Sequence, residues 1–301
     1  MDEQGWNELV LAEAIARRAT WDSTKQVLGD DAAIVKLGSE SITVCADALV
    51  EGVHFDLDYW SPRQIGAKAV TVNISDLAAM AAQPLWILST VASPKHFATD
   101  ELLVGLQDQA EHYGAHLIGG DLSRSDTVVV SVTAIGTQVA APLRRSGARP
   151  GDLIFVTGLL GGAALALERL SQGLDLDDLA RAALQDPVAR VAEGFAASRA
   201  GATAAIDISD GLALDLHRLA NASHVGFELD EVPIAKGATS EQALGGGEDF
   251  ELLFTAPQEG RVLDEFSRAT LTPPLRIGRI HSDERRRNLG ATPLGLLGYR
   301  H

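Results

Sequence analysis

An α/β (α+β) fold in two domains is the class that three observations predict. Apolar runs with strand character alternate with stretches at helical spacing along most of the 301 residues. The piece "RRSGARPGD" at 144–152 breaks that alternation with the Gly, Pro and polar density of a boundary. A length of 301 residues with 46% apolar content supports a large core and suggests two domains. The division expected is 1–143 and 144–301.

In chain order, residues 7–19 carry Leu9, Leu11, Ala12, Ile15 and Ala16 at helical spacing and predict a first helix. After the turn "GDD" at 29–31, "AAIVKL" and "ITVCADAL" read as strands separated by "GSE". Ser61 followed by Pro62 opens a helix over 62–80, because serine caps well and proline suits the first helical position. "PLWILSTVA" is a strand, 98–114 a helix stopped by Gly114, "HLIGGD" an apolar stretch and "TVVVSVTAIG" a strand. Beyond the boundary, "LIFVTG" reads as a strand and "GGAALALERL" as a helix, with another helix near 187–199. A strand runs to Ile208, and a helix from about Asp210 to Ala220 buries Leu212, Leu216 and Leu219. "FELLFTA" and "LRIGRI" are strands flanking a helix over 260–270, and a polar, Gly-rich tail closes the chain.

A net charge of -16, from 25 basic and 41 acidic residues, argues against a general nucleic-acid or anionic-membrane surface. An acidic protein that handles phosphates needs cations to mediate. Cys45 is the only cysteine, which excludes an intrachain disulfide and a thiolate metal cluster. No apolar run is long enough to cross a bilayer, and the N-terminus begins acidic, so a cytoplasmic location is expected. No His-Glu-x-x-His pattern occurs, which leaves oxygen donors as candidate metal ligands.

Acidic residues recur in "GDD", "ADALVEGVHF", "NISDLAAM", "GGDLSRSD", "DISDG" and "GGGEDFELLF", most of these segments holding glycines as well. Each has a structural reading alone: a turn for Asp30 and Asp31, a strand end for Asp47, a helix start for Asp76, a Gly-Gly turn for Asp121, and helix capping for Ser209 or Asp210. Their shared context favours another reading, since ligands gather beyond the carboxyl ends of parallel strands and Mg²⁺ takes several carboxylates together with substrate phosphates. "GLLGG" at 158–162 could cradle a phosphate, but it lacks the Walker pattern and reads better as a plain turn. Arg144 and Arg145 are either a solvated pair or a clamp on phosphate. Without a nucleophile set, direct phosphoryl transfer assembled by cations is the economical chemistry.

The motifs "GDDAAIV", "DALVEGVHF", "NISDLAAMAAQP", "LIGGDLSRS", "RRSGARPGD", "AIDISDGLALDL", "GGGEDFELLFT" and the closing "GLLGYRH" resemble, in this order, the thiamine-monophosphate kinase family. That family sits in a superfamily with aminoimidazole ribonucleotide synthetase, selenophosphate synthetase and the hydrogenase-maturation dehydratase. The resemblance implies a homodimer in which the N-terminal mixed sheet pairs into a barrel, and a C-terminal α/β domain. It also implies ATP and thiamine monophosphate as partners, several Mg²⁺ ions, and in-line transfer giving thiamine diphosphate. Carried over by position, Asp31, Asp47, Asp76, Asp121, Asp207 and Asp210 resemble the metal ligands, with Asp121, Asp207 and Asp210 the catalytic set. Gly120, Asp121, Arg145 and Ser209 resemble the ATP site, and His54, Glu248 and Tyr299 the acceptor site. The chain departs from the family where Cys45-Ala46 replace hydroxyl residues, where Ala81 replaces a common glycine and where Arg300 replaces a frequent aspartate. Another ATP-dependent enzyme of the superfamily, or a non-catalytic phosphometabolite-binding protein, are the alternatives.

Overall fold

A computed structural model describes residues 29–299, so the helix expected over 7–19 and the residue Arg300 lie outside the described residues. Strands β1 (Ala33–Leu37), β2 (Glu40–Val50), β3 (Ala82–Ser93), β4 (His116–Arg124) and β5 (Val129–Gln138) form one sheet in the order β1-β2-β5-β3-β4. Only β3 and β4 pair in parallel. Helices α1 (Pro62–Ala79) and α2 (Thr99–His112) belong to this half. Ser61 caps α1 as expected: its hydroxyl accepts the Gln64 N–H while the Gln64 side chain returns to the Ser61 N–H. On β5, Val130, Val132 and Ala134 alternate into the core, giving the period of two that the run "TVVVSVTAIG" predicted.

The expected barrel is not formed. The five-stranded sheet is open, with β1 and β4 as its two edges, and among the described residues no sheet closes on itself. The parallel β3–β4 pair ends the sheet, and β4 keeps eight of its nine residues exposed.

The second half holds β6 (Leu153–Val156), α3 (Gly162–Ser171), α4 (Asp178–Gln185), α5 (Val191–Ala200), β7 (Ala204–Asp207), α6 (Leu212–Ser223) and β8 (Gly226–Leu229). It continues through α7 (Ser240–Gly245), β9 (Leu252–Ala256), α8 (Glu259–Arg268), β10 (Leu275–His281), β11 (Arg287–Leu289) and β12 (Thr292–Pro293). The sheet order is β12-β11-β8-β10-β6-β9-β7, and only β8–β11 is parallel. Both sheets are therefore mainly antiparallel, and the rule for parallel strands does not explain where the acidic residues meet. No described helix is long and apolar enough to cross a membrane.

What brings the acidic segments together is α1, which is buried along most of its length between the two halves. Gly66 of α1 and Gly105 of α2 each face the other helix's backbone so closely that a Cβ would lie about 2 Å from a carbonyl oxygen. Gly194 of α5 meets α1 in the same way, 2.2 Å from the Ala78 oxygen by the same measure. Just after α1, Ala81 holds a left-handed backbone at φ 52°, which is the physical reason glycine suits that position. A Gly194→Ala substitution forces α1 and α5 apart, with an expected cost of about 1–3 kcal/mol from overpacking, read as a lower calorimetric Tm. An unchanged Tm would show that the seam is not tightly packed.

Candidate active site

A cavity of about 660 Å³ opens at this seam and is lined from both halves. Its lining includes the acidic residues Asp31, Asp47, Asp76, Asp207 and Asp210 and the aromatic residues Phe55, Tyr59, Trp60, Phe250 and Tyr299. Asp31 enters from the turn before β1, Asp76 from α1 near its C-terminal end, and Asp207 from the last position of β7. One carboxylate oxygen from each of these three lies within 4.8 Å of the others.

Asp207 Oδ2 accepts a 2.6 Å hydrogen bond from the Ser75 hydroxyl, which ties the second sheet to α1. Asp31 Oδ1 accepts from Arg145 Nη2 at 2.6 Å and from Nε at 3.1 Å, whereas Asp31 Oδ2 is buried with no hydrogen-bond partner. Arg144 turns to Asp30 at 2.7 Å, so each of the two arginines takes its own carboxylate. Asp47 sits mid-strand on β2, its N–H donating to Asn73 Oδ1 at 2.9 Å, while the Cys45 thiol donates to the Asn73 carbonyl. Cys45 is buried.

Burial raises the pKa of Asp76 and Asp207 well above the ordinary carboxylate value; neighbouring carboxylates add to the rise, Asp47 for Asp76 and Asp31 for Asp207. Asp31 is raised by burial too, and Arg145 pulls against the rise. A buried oxygen with no partner, among carboxylates that repel one another, fits a hard divalent cation with oxygen ligands.

The turn at 207–211 caps differently from the expectation. Helix α6 begins at Leu212 with Gly211 at its N-cap, and neither Ser209 nor Asp210 caps it through a side chain. Asp215 reaches back instead, its Oδ2 accepting from the Asp210 and Gly211 N–H groups at 3.0 and 3.1 Å. Arg218 then bridges Asp210 at 2.5 Å and Asp215 at 2.7 Å. Ser209 and Asp210 are left to line the cavity. "GLLGG" is closed to phosphate, because the Asp249 carboxylate accepts the Gly161 N–H at 2.9 and 3.0 Å. Burial lifts Asp249 to about 7.

Of the remaining expected residues, Arg145, His54, Glu248 and Tyr299 line the same cavity. The His54 ring accepts the Val50 N–H at Nδ1, 3.0 Å, which puts the proton of the neutral ring on Nε2. Gly120 and Asp121 lie on exposed β4 and do not line it. The residues that sequence reasoning missed are the supports: Asn73 and Ser75, inside the quoted "NISDL", and Lys68, Asp215 and Arg218. Only the spacing of Lys68, Val72 and Asp76 on one helical face could have drawn attention to the lysine.

Profiles of the AIR synthase related protein family match the chain, the N-terminal domain over residues 29–138 and the C-terminal domain over 149–287. The chain is 37% identical to the thiamine-monophosphate kinase of Bacillus subtilis, covering 91% of each. It is also 37% identical to that of Methanospirillum hungatei, covering 90% of this chain and 92% of the other. Among solved structures, AaThiL complexed with AMPPCP and TMP superposes with a TM-score of 0.88 at 30% identity, over 100% of this chain and 99% of that one. The thiamine-monophosphate kinase of Stenotrophomonas maltophilia does so with a TM-score of 0.77 at 33% identity, over 95% and 96%.

Five aspartates have raised values: Asp31, Asp76, Asp207, and Asp215 and Asp249 at about 7. A group raised on folding binds more protons in the native state, so its stabilisation is present below the unfolded pKa and lost as pH rises through the folded one. His217, lowered by burial, acts the other way. In chelator, Tm is expected to fall between about pH 5 and about pH 8, and added Mg²⁺ to restore more of it at the upper end. A Tm that rises over this range, or a Mg²⁺ effect independent of pH, would contradict this electrostatic reading.

Proposed function

The chain belongs to the thiamine-monophosphate kinase family, and on that premise we propose how its cavity performs the transfer. The enzyme phosphorylates thiamine monophosphate at the expense of ATP. The observation that carries the proposal is the cluster of Asp31, Asp76 and Asp207 beside an aromatic-walled cavity between the two halves. These three carboxylates would hold Mg²⁺, with Asp47 and Asp210 lining the same cavity. When bound, the ions cancel phosphate charge so that two anionic groups can approach each other.

The chain's own groups do the rest. Arg145 stands on Asp31 with its guanidinium at the cavity, suited to a nucleotide phosphate. Ser209 lies next to Asp207 and Asp210 and can donate to the same phosphates. Trp60, Phe250 and Tyr299 offer ring faces to the flat heterocycles of thiamine, whose thiazolium is a cation that aromatic faces and the Glu248 carboxylate favour. His54, with its proton on Nε2, donates into this end. Acceptor phosphate is already ionised near neutral pH, so in-line attack needs no side-chain base. Gly120 and Asp121 gain no support from the cavity of one chain. We also place the division between the halves near residues 143 and 144, between the end of β5 and the start of β6.

With Mg²⁺ and ATP, thiamine diphosphate should form only when thiamine monophosphate is present. Equal ATP consumption without the acceptor would defeat the assignment. Asp207→Asn should lower kcat/KM by about 10²–10³-fold, while the metal-free Tm holds or rises because one repelling charge is gone. Parallel losses of activity and metal-free stability would instead mark Asp207 as structural.

A further inference from the structure

Lys68 of α1 is among the largest fully buried side chains of the described residues, its side chain 0% exposed. Burying such a charge is strongly unfavourable unless it is paired and hydrogen-bonded. Here Nζ donates to Glu248 Oε1 at 2.7 Å and to the His54 carbonyl at 2.7 Å, and it stands 5.1 Å from the Trp60 ring centroid. All three partners line the cavity, although Lys68 itself does not. They come from the turn after β2, the start of α1 and, 180 residues away, the loop before β9.

That loop is strained. Glu248 and Phe250 both hold left-handed backbones, at φ 68° and 50°, a conformation disfavoured for residues other than glycine. Backbone bonds from Glu248 N–H to the Ser209 carbonyl and from Phe250 N–H to the Ile208 carbonyl fix the loop against the turn at 207–211. Lys68 fixes its side-chain end. It also offsets the Glu248 charge, so this carboxylate can accept hydrogen bonds without adding to the repulsion that five aspartates already set up against an incoming phosphate.

We infer that Lys68 is the positioning residue of the acceptor subsite, holding Glu248 and the His54 turn in the geometry that binds thiamine monophosphate. The inference rests on the acceptor reading given above. A lysine that served only to glue the core would have no reason to join three groups of one cavity wall, since apolar residues of similar volume pack as well or better.

The test is calorimetric binding of thiamine monophosphate and, separately, of AMPPCP, both with Mg²⁺, alongside KM, kcat and Tm. Lys68→Met should weaken thiamine-monophosphate binding and raise its KM by about 10- to 100-fold, as expected when one partner of a buried charge pair is truncated, with AMPPCP affinity unchanged. Lys68→Gln keeps a donor and removes the charge, and should show the same split with less loss of Tm. Either folded variant with wild-type acceptor affinity, or with AMPPCP weakened as much as the acceptor, would overturn the inference. Wild-type protein that binds AMPPCP and no thiamine monophosphate would overturn the acceptor reading itself, and this inference with it.

Discussion

Asp31, Asp76 and Asp207 reach one point from a turn, a helix and a strand end, and their charges resist being there. Desolvation and mutual repulsion both work against the ionised cluster, and Arg145 opposes them from one side. Packing holds the groups in place. Helix α1 is clamped by close glycine contacts to α2 and α5, and Ser75 on the same helix bonds Asp207 across the seam. The fold thus holds three carboxylates together in an arrangement that fits a divalent cation, with Arg145 beside them at the same cavity.

The other buried cations follow a different rule. Arg218 sits between Asp210 and Asp215, Arg190 grips Glu251 from two nitrogens, and Lys68 meets Glu248. Each of these carboxylates has an internal cation, whereas the three-aspartate cluster shares the single guanidinium of Arg145. In a protein of net charge -16, the proposed site gathers carboxylates that share one guanidinium at a place where metal ions could neutralise them.

Much of this was legible in the chain, for local reasons. Ser61-Pro62 opens α1 as its capping chemistry requires, and the alternation in β5 is as regular as its sequence. The residues that line the cavity were reached through the family resemblance of their motifs, because each aspartate taken alone also has a structural reading. What failed was anything that depends on register or partner. Pairing turned out mainly antiparallel, and the sheet stayed open. The strand expected from Phe250 starts at Leu252, because the preceding loop is bent by left-handed residues. Helix α7 and strands β8, β11 and β12 span too few residues to show a period, and the amphipathic α4 fell between two longer apolar runs. Lys68 was invisible since a lysine in a helix reads as surface until its neighbours are known.

The central claim is that carboxylates from the two halves share one cation. Mn²⁺ affinity, measured by electron paramagnetic resonance on wild-type protein, Asp76→Asn, Asp207→Asn and the double variant, tests it most directly. The account predicts that each single change weakens binding by about tenfold or more and that the double change costs clearly less than the sum of the two free energies. Additive losses, or wild-type affinity in either single variant, would contradict it.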